Sequence, residues 1–193
     1  GNVYGDPTKA YPELARFQQN VSERVNAISV ETLFFTLEIN KLEDADLEAK
    51  LKHAALKRDK PWLDSVRLFR RHQLSDEVER LLHEKHVAGS AAWQRLFDET
   101  MADMRFDVQG KSLTSNEALN LLTDRDPAKR KAAGEGVAKG LASQKRLFAL
   151  VTNTLAKDKD IEDKWRSFAH LVSSRNLANQ VEDEVVDALV SAV

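Results

Sequence analysis

Apolar residues recur every seven positions near the start of the chain, at Leu14, Val21, Ile28, Phe35 and Leu42. A spacing of seven returns to the same side of an α-helix after about two turns, so the pattern predicts one long helix with a core-facing stripe. Only seven glycines and four prolines occur among the 193 residues. Because strand-rich folds use both residue types in their many turns, this scarcity also favours long helices.

The predicted limits of this first helix come from capping chemistry. Asp6 can accept hydrogen bonds from free backbone N–H groups, and Pro7 fits the first helical position. The apolar spacing ends near Lys41, where we expect the helix to stop. Further helices are predicted to begin at Asp44 or Asp46, Lys60, Ser75, Ser90, the capping box Thr114–Glu117, Asp126, and Asp158 or Asp160, with a last one around Val185.

One segment breaks the helical pattern. Residues 106–113 alternate in polarity around a Gln-Gly pair, which predicts a small β-hairpin near 105–114. The chain is therefore predicted to be mainly all-α, an antiparallel array of about seven or eight helices with this one hairpin. Three glycines, Gly134, Gly136 and Gly140, fall inside a helix predicted to run from Asp126 through Leu155. They fit either the close approach of a neighbouring backbone or a local bend, and the sequence does not choose.

Charge and cysteine content narrow the function. The 31 acidic and 29 basic residues leave a formal charge of −2, whereas phosphate-binding proteins carry a basic excess, so we expect no nucleic-acid partner. The absence of cysteine excludes disulfides, thiolate metal ligands and cysteine nucleophiles and favours a cytoplasmic location. The most apolar stretch, residues 33–37, is too short to span a bilayer, so no membrane partner is expected.

The histidines offer one candidate metal pattern, His83-Glu84-Lys85-His86. A zincin helix needs H-E-x-x-H, because residues four apart share a face and both reach the metal. Here the histidines are three apart, which still permits a shared face, but no further ligand pattern points to them. No serine-nucleophile elbow, phosphate loop or Glu-x-x-His pair occurs. We therefore assign no catalytic, cofactor-binding or metal-binding residue to this chain.

Two charged clusters and the tryptophans permit more than one interpretation. The stretch 157–166 could hold a cation or contact a partner, or it could be a helix start followed by surface ion pairs. Arg67, Arg70, Arg71 and His72 form a basic cluster that could bind an acidic peptide or domain, or could be a solvated face. The tryptophans lie in phase with the apolar positions and are predicted to be core anchors: Trp62, Trp93 and Trp165.

Several segments together resemble the oligoendopeptidase F family of zinc peptidases, relatives of thimet oligopeptidase. The resemblance covers essentially the whole chain in order. Its segments are Tyr4-Gly-Asp-Pro, Leu-Phe-Phe-Thr-Leu-Glu-Ile-Asn ending at residue 40, and His-Gln-Leu-Ser-Asp-Glu-Val-Glu at 72–79. They continue with Ala-Trp-Gln-Arg-Leu-Phe-Asp-Glu-Thr at 92–100, Arg-Phe-Asp-Val at 105–108, residues 153–166, and Glu-Val-Val-Asp-Ala-Leu at 184–189.

The resemblance implies that residues 1–193 are the N-terminal helical region of a longer oligoendopeptidase. The chain starts without methionine, and its last amphipathic segment lacks the usual stop signals, so both ends are interpreted as cuts. In the family, H-E-x-x-H and a downstream glutamate bind one zinc, and zinc-activated water attacks the peptide carbonyl. These residues have no counterpart here, so the zinc is expected in an absent catalytic domain.

The implied role is non-catalytic. This region is expected to contact its own catalytic domain and to help wall a cleft that admits short peptide substrates. Faces that normally meet the catalytic domain are expected to be exposed, which predicts an apolar patch or self-association of the fragment. Two alternatives remain open: a free-standing helical protein-interaction module, and a small metalloenzyme that uses the His83–His86 pattern.

Overall fold

A computed structural model describes residues 11–193, apart from the side chains of Tyr11 and Pro12, and this part of the chain is mainly α-helical. Its helices and strands are α1 (Tyr11–Lys41), α2 (Asp44–Leu51), α3 (Lys60–Arg67), α4 (Asp76–Lys85), α5 (Ser90–Asp103), β1 (Phe106–Val108), β2 (Lys111–Leu113), α6 (Ser115–Asn120), α7 (Pro127–Ser143), α8 (Lys145–Trp165), α9 (Ser173–Ala178) and α10 (Asp183–Ala192). Short 3-10 turns follow α2, α3, α4 and α6. No helix within these residues is both long and apolar enough to cross a membrane.

The predicted fold class is confirmed, since the described residues are mainly helical with a single small hairpin inside the predicted 105–114 window. Ten α-helices occur in this part of the chain, slightly more than the seven or eight expected. The difference has a simple reason. Helices as short as α9, with six residues, carry too few apolar positions to show a period.

The first helix ends at Lys41 as predicted, whereas its predicted start at Asp6-Pro7 lies outside the described residues. The prediction that its seven-residue stripe faces a core is wrong for the middle of the stripe, whereas Leu42 packs against a buried cluster. Val21, Ile28 and Phe35 are 41%, 62% and 53% exposed. Periodicity shows which residues share a face of a helix, but it does not show whether another element covers that face.

The chain divides into two compact units. The first contains the described residues up to Glu23 together with His86–Ala156, and the second contains Arg24–Lys85 and Lys157–Val193. Each has its own buried cluster of apolar side chains. The first is built from Met104, Phe106, Val108, Ala118 and Ala133, and the second from Ile39, Leu47 and Leu63.

The hairpin forms the centre of the first unit. Its strands are antiparallel, with Phe106 opposite Leu113. Gln109 and Gly110 have φ values of 54° and 77°, the left-handed conformation that a two-residue hairpin turn requires. Phe106 and Val108 are 1% and 5% exposed, so one face of β1 is buried.

Helix α7 covers that buried face through its glycines. A Cβ atom on Gly136 would lie 2.4 Å from the Asp107 carbonyl oxygen, and one on Gly140 would lie 2.5 Å from the Phe106 ring. Both distances are shorter than any van der Waals contact. Close approach is therefore the correct interpretation for Gly136 and Gly140, which lie in a continuous helix, whereas a Cβ on Gly134 would meet only Leu122 at 3.9 Å.

The prediction of one helix through Leu155 is wrong, because α7 ends before Gln144 and α8 begins at Lys145. Gln144 has φ −107° and ψ 14°, a non-helical conformation that no nearby glycine or proline announces. The predicted helix start at Asp158 or Asp160 is also wrong, because α8 begins earlier, at Lys145. These carboxylates lie within α8, where Asp160 pairs with Lys157 and Lys164. The two lysines lower the Asp160 pKa to about 2.

In the second unit, Arg67 closes the end of the first helix. Its guanidinium donates hydrogen bonds to the carbonyl oxygens of Ile39 and Leu42, at 2.8 and 3.0 Å, and pairs with the Asp44 carboxylate. Ile39 lies in the last turn of α1 and Leu42 directly follows it, where backbone carbonyls lack intrahelical partners. The guanidinium therefore ties α3 to the junction between α1 and α2.

The glycine contacts give a test of the packing of α7 on the hairpin. We expect Gly136→Ala to lower the free energy of unfolding by about 1–3 kcal/mol, because the added methyl group must displace the backbone of β1. The matched control is Gly134→Ala, where a Cβ would meet only Leu122 at 3.9 Å. This control is expected to leave stability unchanged or raise it by up to about 1 kcal/mol. Urea unfolding followed by circular dichroism measures both, and equal effects would contradict the close approach.

Candidate functional site

A network of charged side chains joins the start of α4 to the end of α8 within the second unit. Arg166 donates to both carboxylate oxygens of Glu79, with Nη1–Oε1 and Nη2–Oε2 distances of 2.6 and 3.0 Å. Its Nε atom also donates to Glu162 at 2.7 Å. The paired side chains of Arg166 and Glu79 are only 19% and 12% exposed. This two-point ion pair is the most buried one among the described residues, and it fixes the relative orientation of both side chains.

His72 belongs to the same network and is 7% exposed. Its Nδ1 atom lies 2.7 Å from the Arg166 carbonyl oxygen, and its Nε2 atom lies 3.0 Å from Nε of Arg71. A carbonyl only accepts and a guanidinium only donates, so the imidazole is neutral with its proton on Nδ1. The ring also stacks on Phe168 with centroids 3.8 Å apart. His72 therefore acts as a structural link and has no free nitrogen for chemistry.

The electrostatics of Glu79 follow from its partners. Burial alone would raise its pKa, but hydrogen bonds from Arg166 and from the Leu74 N–H, together with the charge of Arg166, lower the pKa below its ordinary value of 4.5. Glu79 and Glu162 in turn raise the Arg166 pKa. Because the folded-state pKa of Glu79 is lowered, the stability it contributes is present above about pH 4.5 and is lost as pH falls through the folded pKa.

A cavity of about 470 Å³ lies beside this network, entirely within the second unit. Its volume is within the range of ligand pockets, about 300–1,000 Å³. Two of its amides are incompletely bonded: the side-chain oxygens of Asn40 and Gln73 are buried and have no hydrogen-bond partner in the described structure. The other lining residues are Leu33, Thr36, Leu37, Val66, Phe69, His72, Glu79, Lys159, Glu162, Asp163, Arg166, Phe168 and Ser174.

The side chains around the cavity suit binding better than catalysis. Both oxygens of Glu79 accept hydrogen bonds from Arg166, and Oε1 also accepts from the Leu74 N–H, so the carboxylate is already engaged with groups of the chain. Lys159 is paired with Asp163 and bonds Ser174 Oγ at 3.0 Å. A general base must reach the proton it removes, and a nucleophile needs an adjacent base. The unengaged polar groups of the cavity are instead amides, which recognise ligands without reacting.

The candidate metal pattern does not gather a ligand set. His83 lies in α4, whereas His86 lies in the 3-10 turn that follows, where its Nδ1 atom is 3.1 Å from Ser90 Oγ. Across residues 11–193 no group of three histidine, aspartate or glutamate side chains is placed to hold a metal ion. The donors present therefore do not fit a catalytic zinc site.

The basic cluster at 67–72 divides into an internal part and an exposed part. Arg67 closes α1, and His72 is buried, so these two side chains serve internal contacts. Arg71 is exposed although it donates to His72, and Arg70 pairs with Glu43 and Asp44, whose carboxylates are 78% exposed. The interpretation as a solvated face therefore fits Arg70 and Arg71 but not Arg67 and His72.

The tryptophan predictions fail in part. Trp62 and Trp165 are 47% and 65% exposed, so neither is a core anchor within the described chain, whereas Trp93 is half-buried. Their helices have the predicted periodicity, but the faces that carry Trp62 and Trp165 are uncovered. Apolar phase alone does not distinguish a covered face from an uncovered one.

Sequence reasoning missed the main residues of the cavity. Glu79 and Arg166 are 87 positions apart, and nothing in either local pattern links them. Asn40 follows an apolar run that marks it as a helix end rather than as a buried amide. One local signal was available for Glu79. The free backbone N–H groups at the start of α4 need an acceptor, and the Glu79 carboxylate accepts from the Leu74 N–H at 2.8 Å.

Residues 38–106 match the family model described as oligopeptidase F. The fold matches the crystal structure of oligoendopeptidase-F from Enterococcus faecium with a TM-score of 0.77 and 22% sequence identity. That match covers 98% of this chain and 38% of the other chain, so the present chain spans well under half the length of that protein. No curated protein sequence matches. The family resemblance predicted from the sequence is confirmed by the family match, and the structural match shows the shared fold.

The buried ion pair can be tested by a double-mutant cycle. We expect Arg166→Met to destabilise the chain by about 3–5 kcal/mol, because the Glu79 charge is left buried and unpaired. Adding Glu79→Gln is expected to recover part of this loss and to flatten the decrease in stability below about pH 4.5. The control pair is Arg80 and Glu84, which are 69% and 47% exposed, and its coupling should stay near 0.5 kcal/mol. Additive effects of the buried pair in urea unfolding between pH 3 and 7 would contradict the network.

Proposed function

We propose that this chain, whose residues 38–106 match oligopeptidase F, is the non-catalytic N-terminal region of a zinc-dependent oligoendopeptidase that hydrolyses short peptides. The family match is the observation that carries the proposal. The fold match supports it, because the chain corresponds to a part of the matched relative that is 38% of its length. In this proposal the remaining part of the longer protein supplies the zinc ligands and the reacting groups.

The chemistry of the described side chains supports a non-catalytic role. The buried side chains of Arg166 and Glu79 are bonded to each other. In the described residues, His83 and His86 are not part of a group of three metal ligands. The residues that line the cavity offer amides, aliphatic groups, two phenylalanines and charged groups that are paired with one another. They are suited to hold and exclude molecules, which is what a cleft wall does when it admits short peptides and keeps folded proteins out.

Exposed apolar side chains support a contact with the rest of the longer protein. Phe35 of α1 and Trp62 of α3 stack with ring centroids 6.1 Å apart, although each is about half exposed. A stacked aromatic pair left in water is unfavourable, and such pairs are common anchors of protein interfaces. We assign this pair, defined here as the aromatic pair, to the contact with the catalytic domain.

The alternative of a free-standing interaction module rests on the same aromatic pair. The two functions differ in what the coding sequence holds. A peptidase region requires H-E-x-x-H beyond the codon for Val193, whereas a module of this length requires a stop codon there.

The proposed division of labour predicts that the 193-residue chain alone does not cleave peptides. An internally quenched octapeptide should remain intact after addition of zinc, and zinc bound after dialysis should be below one equivalent. His83→Ala is expected to change neither result, since His83 lacks two further ligands. Tight stoichiometric zinc together with hydrolysis that His83→Ala abolishes would establish the small-metalloenzyme alternative instead.

The exposed aromatic pair predicts self-association of the isolated chain. Phe35→Lys should shift the sedimentation-velocity distribution toward monomer, because it places a charge in the apolar contact. The matched control is Glu31→Lys on the same helix, where an exposed polar side chain is replaced by the same lysine. A wild-type chain that is monomeric at high micromolar concentration, or an equal shift in both variants, would contradict the assignment.

A further inference from the structure

We propose that the cavity beside the Glu79–Arg166 pair binds the amino-terminal residue of a short peptide, with its ammonium group on the amides of Asn40 and Gln73 and an apolar side chain against the cavity wall. This inference rests on the proposed function for the class of ligand and deepens it, because it names which part of a peptide the chain holds. The site belongs wholly to the second unit and requires no residue from elsewhere.

The first argument is the unmet hydrogen bonding of the two amides. Asn40 is 8% exposed, and its side-chain oxygen and that of Gln73 lack any partner in the described part of the chain. A buried acceptor without a donor costs about 1–3 kcal/mol, so two such groups around one cavity are unfavourable unless a ligand or solvent satisfies them. An ammonium carries three donors and no acceptor, which matches a pair of oxygens.

The second argument is the charge of the cavity. Its lining contains two cationic side chains, Lys159 and Arg166, against three carboxylates, Glu79, Glu162 and Asp163. His72 is neutral, so one negative charge remains uncompensated. Both cations are already paired with carboxylates, which leaves no free cation to receive a carboxylate end. The lining therefore favours a cation, and it selects the amino end of a peptide over the carboxyl end.

The third argument is the apolar wall. Leu33, Leu37 and Val66 line the cavity together with the rings of Phe69 and Phe168. These five side chains form an apolar side of the cavity, whereas the other lining residues are polar or charged. A first residue with an aliphatic side chain would bury that side chain there, whereas a charged side chain would not.

The fixed position of the polar groups supports specificity. The Glu79–Arg166 pair and the His72 links to Arg71 and Phe168 hold one side of the cavity in place. A site whose walls are already ordered loses less entropy on binding. The buried network then acts as the support of the site rather than as its ligand contact.

The test is a titration of the whole chain followed by ¹H–¹⁵N NMR, which also resolves the side-chain amide groups. The probe is leucyl-glycinamide, and its matched control is N-acetyl-leucyl-glycinamide, which lacks only the ammonium. We expect saturable shifts of the Asn40 and Gln73 side-chain amides with the free amine, and binding weaker by about tenfold or more after acetylation. Gly-glycinamide should also bind more weakly than leucyl-glycinamide, because it has no side chain for the apolar wall.

Variants connect the binding to the cavity. Gln73→Met keeps the length of the side chain and removes the amide, and it should weaken the binding of leucyl-glycinamide about fivefold or more while the chain remains folded by circular dichroism. Gln94→Met is the control, because Gln94 is exposed on α5 in the first unit. Equal affinity for the free and acetylated probes, or an undiminished affinity in Gln73→Met, overturns the proposal. Either result leaves the proposed peptidase region intact, because the zinc and hydrolysis measurements test that function separately.

Discussion

The second unit depends on one constraint, the two-point ion pair between Arg166 and Glu79. It joins the C-terminal end of α8 to α4 across 87 residues and brings His72 and its stacked partner Phe168 to the same place. A buried ion pair is weak evidence for net stability, because desolvation opposes the attraction between the charges. Its value here is geometric. The fork of Arg166 matches a carboxylate in only one orientation, so alternative packings of the two helices leave charges unsatisfied.

The same network pairs the ionisable groups around the cavity with one another. Every charged side chain that lines the cavity is paired with another group of the chain, and only the two amides remain to contact a ligand. The proposed cleft wall needs a surface of this kind, which contacts peptides without cleaving them. Activity then depends on groups placed opposite such a wall, which agrees with the proposed division between a helical region and a catalytic domain.

The sequence predicted the features that depend on interactions between residues close together in the chain. The hairpin follows from alternating polarity around Gln109 and Gly110, and the start of α6 follows from the capping box, in which the Thr114 N–H donates to Glu117 at 2.8 Å. The break at Gln144 was missed because residues 141–145 contain no glycine or proline to signal it. The exposed stripe of α1 was misjudged because a period does not report what covers a face. The cavity was invisible for the same reason, since Asn40, Gln73 and Arg166 meet only through the tertiary structure.

The glycine face of α7 has a consequence for how the first unit assembles. Helices that contain several glycines are weak on their own, and an isolated pair of three-residue strands is also unstable in water. Here the helix and the hairpin stabilise each other by packing. Because Gly136 and Gly140 have no side chains, the strand backbone and the Phe106 ring come close enough to the helix to exclude solvent. Neither piece is expected to be stable without the other. Helix and hairpin must therefore order and melt as a single cooperative element, so that their backbone amides exchange with solvent in one concerted opening.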